Sequence, residues 1–184
     1  MISYSAMRMR RHPALAAAIL GTVIAAGAQP HLDEYQVKAA FLYNFAKFVE
    51  WPPRAFKDAS DPIAICIAGE TPIYAQLDSA VTGKMAGKRS FAVRKVSDAQ
   101  HAEGCHILFI GLAERKRIPA ILTGVRGLGI LTVGETPEFI ANGGVVDFKL
   151  EDGRVRFEIN VEAAGQEQLR VSSKLLSLAE IVTR

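Results

Sequence analysis

Residues Cys105 to Val133 read CHILFIGLAERKRIPAILTGVRGLGILTV, and this stretch decides the fold class. Cys105 to Ile110 is a compact apolar run that stops at Gly111, the signature of a buried strand. Glu114 to Thr123 predicts a helix, with Pro119 a reservation because proline inside a helix removes a donor. Gly129 to Val133 supplies a second apolar run after a glycine-containing turn. Apolar strands alternating with helical connections favour a mainly parallel α/β sheet covered on both faces.

The same alternation continues outward. Ile63 to Ile67 is an apolar strand that ends at Ala68-Gly69, Thr71 to Ala80 a short helix, and Phe91 to Val93 the start of another strand. Upstream, Asp33 to Glu50 (DEYQVKAAFLYNFAKFVE) repeats Val37, Phe41, Phe45 and Phe48 at helical spacing, with Ala40, Leu42 and Val49 beside them. Asp33 and Glu34 suit the positive end of that helix and Lys47 the negative end. Pro52 and Pro53 should stop it near Trp51. Downstream, Thr136 to Ala141 is a helical turn, and Asn142-Gly143-Gly144 leads into a strand from Val145 to Leu150. Glu151-Asp152-Gly153 then makes a hairpin turn into Arg154 to Ile159, where Val155, Phe157 and Ile159 alternate with charged residues. Leu169 to Val182 reads as a terminal amphipathic helix, with Leu175, Leu176, Leu178, Ala179 and Val182 available for packing. The expected architecture is one three-layer α/β domain with helices on both faces, a C-terminal hairpin and a terminal helix.

The N-terminus carries a different message. Arg8, Arg10 and Arg11 precede an apolar, alanine-rich run from Ala14 to Ala26, closed by small residues at Ala26-Gly27-Ala28. These are the three parts of a secretory signal, and the run is short for a membrane anchor. Residues 1–28 are therefore expected to be removed, leaving 29–184 as the domain, with no membrane insertion of its own after cleavage. The chain has 22 basic and 19 acidic residues, and the three arginines of the signal account for the whole excess. A balanced domain lacks the clustered positive charge that nucleic acid requires. Export places the chain in an oxidising compartment where a disulfide persists.

Little in the sequence points to catalysis. Cys66 and Cys105 are the only thiols; if their strands approach, they can close a disulfide, and two buried free thiols are the alternative. No Cys-x-x-Cys, His-Glu-x-x-His or Gly-x-Ser-x-Gly motif is present. His106 beside Cys105 would point to the opposite face of a strand. No metal and no cofactor are expected. Gly83 to Ser90 departs from a phosphate loop, with Thr82 where glycine belongs and Arg89 after Lys88. Glu135, Asp147 and Glu158 could converge near a sheet end, and Gly143-Gly144 could let a ligand approach the backbone. Those five residues define a candidate ligand pocket, and the three carboxylates a weaker hydrolase alternative. Phe41, Phe45, Phe48 and Trp51 are candidate interface anchors, because aromatics dominate binding energy; internal packing is their other reading.

Several segments together resemble the YfiR family of exported proteins. They are VKAAFLYNFAKFVEWP at Val37 to Pro52, CHILFIG at Cys105 to Gly111, GILTVGE at Gly129 to Glu135, GGVVDFKLEDGRVRFEIN at Gly143 to Asn160, and LRVSSKLLSLAEIV at Leu169 to Val182. The resemblance implies a compact periplasmic α/β domain that represses an inner-membrane diguanylate cyclase through its periplasmic sensor part, lowering cyclic-di-GMP. It further implies an outer-membrane lipoprotein that can sequester the repressor, a capacity to form a homodimer, and Cys66 with Cys105 as a disulfide pair. The sequence departs from the characterised pattern in having no further cysteines near Gly143 to Gly153, where that pattern has a second pair. A periplasmic small-ligand binder without catalytic activity is the alternative reading.

Overall fold

The computed structural model describes residues 30–183, with side chains from residue 34; the expected export signal at 1–28 lies outside the described residues. Helix α1 (Pro30–Phe48) is followed by the two-residue strand β1 (Val49–Glu50). Then come β2 (Ile63–Ala68), α2 (Ile73–Val81), β3 (Phe91–Val96), β4 (Ile107–Ile110), α3 (Ile118–Val125) and β5 (Leu131–Gly134). The chain closes with β6 (Val146–Glu151), β7 (Arg154–Asn160), α4 (Val161–Gln166), β8 (Arg170–Val171), α5 (Ser173–Leu176) and β9 (Glu180–Val182).

Seven strands form one sheet in the order β3-β2-β4-β5-β6-β7-β9. From β3 to β6 all neighbours are parallel, β7 runs antiparallel to β6, and β9 lies parallel to β7. The expected mainly parallel α/β sheet is thus the observed one. Every residue of β2, β4 and β5 is buried, as a sheet covered on both faces requires. Ile63, Ile65 and Ile67 face the core that includes Leu42 and Phe45 of α1 and Ile73 and Leu77 of α2. Cys66 and Ala68 face the opposite core, built with Ile118, Ile121, Leu122 and Val125 of α3.

Three local readings are adjusted by the structure. The buried face of α1 runs through Ala39, Leu42, Phe45 and Ala46, whereas Val37 is 43% exposed. The helix also ends at Phe48, because Val49 and Glu50 leave it to pair with Val171 and Arg170 of β8. Pro119 begins α3 instead of interrupting it, since a first-turn residue has no intrahelical partner for the missing donor. A short 3-10 segment from Leu112 to Arg117 fills the space before it.

The terminal helix is the main correction. In place of one helix from Leu169 to Val182, the chain forms β8, the single turn of α5 and β9. Ser172 starts α5 by accepting a hydrogen bond from Leu175 N, and Leu175 alone of the expected apolar face is fully buried. Pairing with β7 captures Glu180 to Val182 and satisfies that edge, which a helix would have left open. Leu178 and Ile181 remain 66% and 55% exposed.

The hairpin forms where expected. Asp152 and Gly153 both adopt positive φ (49° and 71°), the pair of conformations a tight two-residue hairpin needs.

Candidate functional site

Phe45 is completely buried, stacked near Phe148 at 5.8 Å between ring centres and edge-on to Phe157 at 5.2 Å. Phe41 lies half-buried against the same two rings, at 6.0 and 5.0 Å. Phe48 and Trp51 are also half-buried, so three of the four aromatic candidates keep accessible surface. Trp51 Nε1 donates to the His106 carbonyl at 3.0 Å, which fixes the indole and leaves its remaining face at the edge of a cleft.

His106 is an internal clamp. Its Nδ1 accepts from Ala64 N at 3.0 Å, so the ring proton sits on Nε2 and is donated to the Ala55 carbonyl at 3.0 Å. Phe56 stacks on the ring at 4.2 Å. Burial holds the His106 pKa below the ordinary histidine value, with the nearby Arg89 charge acting in the same direction and the bond to Ala55 opposing it. Both nitrogens are spent on backbone, which leaves none for a ligand or metal.

The five residues of the candidate ligand pocket are not brought to one place. Gly143 and Gly144 lead into β6, and the ring of Phe139 occupies the space where a side chain at Gly144 or Gly134 would project. Glu135 follows β5 on the α1 side, where Lys38 Nζ lies 2.6 Å from its Oε2. Its Oε1 accepts from Leu112 N at 3.0 Å. Lys38 also contacts Glu34 at 2.5 Å, and Lys38 is only 4% exposed. Burial by itself depresses the Lys38 pKa, but hydrogen bonds and charge from Glu135 and Glu34 outweigh it and hold the pKa above the ordinary lysine value. Lys38 was not singled out by the sequence; its signal was a cation four residues after Glu34, beside the apolar stripe of α1.

Asp147 and Glu158 face each other across β6 and β7, on the side opposite Phe148 and Phe157. Lys149 bridges Glu158 at 2.6 Å and Glu180 at 3.6 Å. Asp147 is 1% exposed and accepts from Thr136 N at 3.0 Å. Its pKa is raised to about 7, chiefly by burial, with the Glu158 and Glu135 charges adding to the rise while the Thr136 bond and Lys149 oppose it. The native state therefore keeps a proton that the unfolded chain releases near pH ~3.9, and stability should fall as pH rises from there through about 7. His106 acts in the other direction, weakening the fold as pH drops below ~6.5. Asp147→Asn keeps the acceptor for Thr136 N, so its stability relative to wild type should grow between pH 4 and 7. Denaturant unfolding at pH 5 and 8 measures this, and an unchanging gap refutes the assignment.

Cys66 and Cys105 form a disulfide. It ties β2 to the segment just before β4, with both cysteines in the α3-side core. A crevice of about 600 Å³ opens nearby at the carboxyl ends of β2 and β3, lined by Gly69, Glu70, Arg94, Ser97 and Glu114 among others. It adjoins the point where the strand order reverses about β2, the usual ligand position in open α/β sheets. Its charges largely neutralise one another, with Lys95 bridged to Glu70 and Arg117 to Glu114. Among the described residues no cluster of His, Cys, Asp and Glu has the arrangement of a metal site, and no helix is long and apolar enough to cross a membrane.

Comparison with known proteins gives a family match and a fold match. A family described as YfiR/HmsC-like matches residues 35–180. No curated protein matches the chain. Among solved structures, a conserved domain protein from Vibrio cholerae O1 biovar El Tor is similar with a TM-score of 0.55 at 9% identity, covering 82% of this chain. An ABC domain from Streptococcus pneumonia, described in complex with L-Trp, gives a TM-score of 0.50 at 7% identity over 83% of this chain. The chain spans 60% of each of those structures. At such identities the likeness concerns the fold alone.

Proposed function

The chain belongs to the YfiR/HmsC-like family of periplasmic, non-catalytic regulators, and we propose from this premise that it binds the periplasmic sensor part of an inner-membrane diguanylate cyclase and holds that enzyme inactive. The observation that carries the reading is the family match across residues 35–180, nearly the whole described domain. The protein acts through binding, and its effect is stoichiometric. Such binding controls a remote active site only if the repressor prefers one of two cyclase states. A tenfold shift between those states needs about 1.4 kcal/mol of differential affinity. The partly accessible aromatics Phe41, Phe48 and Trp51 support a contact role, since each keeps surface beyond its packing.

In this reading residues 1–28 direct export and are removed, and an outer-membrane lipoprotein relieves repression by competing for the domain. A homodimer would present two such domains to the membrane partner.

Deleting the protein from its native cell should raise cyclic-di-GMP several-fold, and re-expression should restore the original level. Capture from detergent-solubilised envelope should recover a diguanylate cyclase together with it. Unchanged cyclic-di-GMP on deletion and re-expression would remove the cyclase assignment.

A further inference from the structure

We propose that the cleft between the C-terminal end of α1 and the turn at residues 83–90 is the docking site for an acidic, apolar segment of the membrane partner. The cleft has a volume of about 300 Å³. Ala46, Val49 and Ile63 supply buried apolar lining, and Trp51 and Phe56 supply aromatic lining. Such a surface favours a large apolar side chain, whose burial removes water from both partners.

The surroundings select the charge of that segment. Lys47 and Arg89 line the cleft, while Lys84 and Lys88 stand on the adjoining turn. None of these four cations has a carboxylate within salt-bridge distance among the described residues. Three of them rest on aromatic rings instead. Lys47 lies 5.2 Å from the Tyr43 ring centre and 5.7 Å from that of Phe48, and Lys84 lies 4.8 Å from Tyr43. The Arg89 guanidinium lies 3.6 Å from the Phe56 ring centre and donates to the Asp58 and Asp61 carbonyls. The one acid in the lining, Glu50, lies 3.5 Å from Arg170. The cleft therefore offers apolar depth beside the cations Lys47 and Arg89, with Lys84 and Lys88 on the turn next to it.

Cation–ring contacts of this kind order the side chains beside the cleft while leaving their charge available. Carboxylates flanking one large apolar residue would meet these cations as that residue enters the cleft. Electrostatic complementarity of this sort sets partner choice and association rate more than total affinity. The identity of the partner as a membrane cyclase rests on the reading above; the chemistry of the docking segment rests on the cleft.

Trp51 is the only tryptophan in the chain, and its emission reports on the cleft directly. The purified protein should be titrated with the blocked peptide EDLFED and with KKLFKK as its charge-reversed counterpart. EDLFED should change Trp51 emission saturably and bind more weakly as salt is raised, while KKLFKK should give no saturable change. Lys47 and Lys84 are exposed, so the double variant Lys47→Glu/Lys84→Glu should keep the wild-type circular dichroism and thermal melt. It should bind EDLFED at least ~10-fold more weakly. No saturable signal, equal binding of KKLFKK, or unaltered affinity in the variant would each overturn the proposal. Cyclic-di-GMP measured in cells separates the two readings. A variant that lowers it as well as wild type overturns the docking site and leaves the regulatory role intact, while a wild-type protein without effect overturns the cyclase reading and leaves the cleft to the peptide titration.

Discussion

Reducing the disulfide, or replacing it in a Cys66→Ala/Cys105→Ala variant, is expected to lower the unfolding free energy by about 4 kcal/mol. The cysteines are 39 positions apart, and the bond excludes from the unfolded ensemble every conformation in which that segment is open. The loss would be a large fraction of the roughly 5–15 kcal/mol that holds a typical domain together. The bond joins Cys66, inside β2, to the approach of β4, and so adds a covalent link to two strands already paired through their backbones. Urea unfolding of the oxidised and reduced protein measures the difference. The reduced form should show a lower midpoint and a steeper dependence on urea, because its unfolded chain exposes more surface. Coincident curves, with thiol titration proving reduction, would refute a stabilising role.

Lys38→Met should cost about 3–5 kcal/mol, because it strands the buried Glu135 carboxylate without its cation. Glu135 retains the hydrogen bond from Leu112 N, which points to the lower end of that range. A Lys38→Met/Glu135→Leu double variant should recover much of the loss, since a well-packed apolar pair avoids the desolvation that the ion pair must offset. The two single variants and the double form a thermodynamic cycle readable by denaturant unfolding. Equal costs for Lys38→Met and the double variant would show that Glu135 has no stake in the lysine. The expected recovery would identify the pair as a tether that holds the start of α1 to the loops after β4 and β5.

Much of the fold was legible because period and turn chemistry are local. The apolar runs at β2, β4 and β5 could only be strands buried on both faces, and Asp152-Gly153 could only be a tight hairpin. The C-terminus was misread for the complementary reason. Residues 169–182 carry a pattern that suits a helix, but the free edge of β7 and the exposed pair in β1 offer backbone partners that no window of sequence displays. The same holds for α1, whose stripe was recognised while its facing was off by a fraction of a turn, leaving Val37 outside and Ala39 inside. The candidate carboxylates were read as one pocket on the expectation that strand ends converge; Asp147 and Glu158 do pair across β6 and β7, while Glu135, past the end of β5, is drawn to Lys38 and Leu112 N.

By itself, the sequence determined the fold class, the hairpin, the family resemblance and the two cysteines as the available cross-link, since each depends on residue identity and spacing. The tertiary structure decided that Cys66 and Cys105 come within bonding distance, that Lys38 is the buried partner of Glu135, and that Lys47 and Arg89 line the cleft beside Trp51. Each of those is a contact across the sheet or between helix and loop. Long-range contacts depend on which strands become neighbours, and a free energy of the whole chain chooses them.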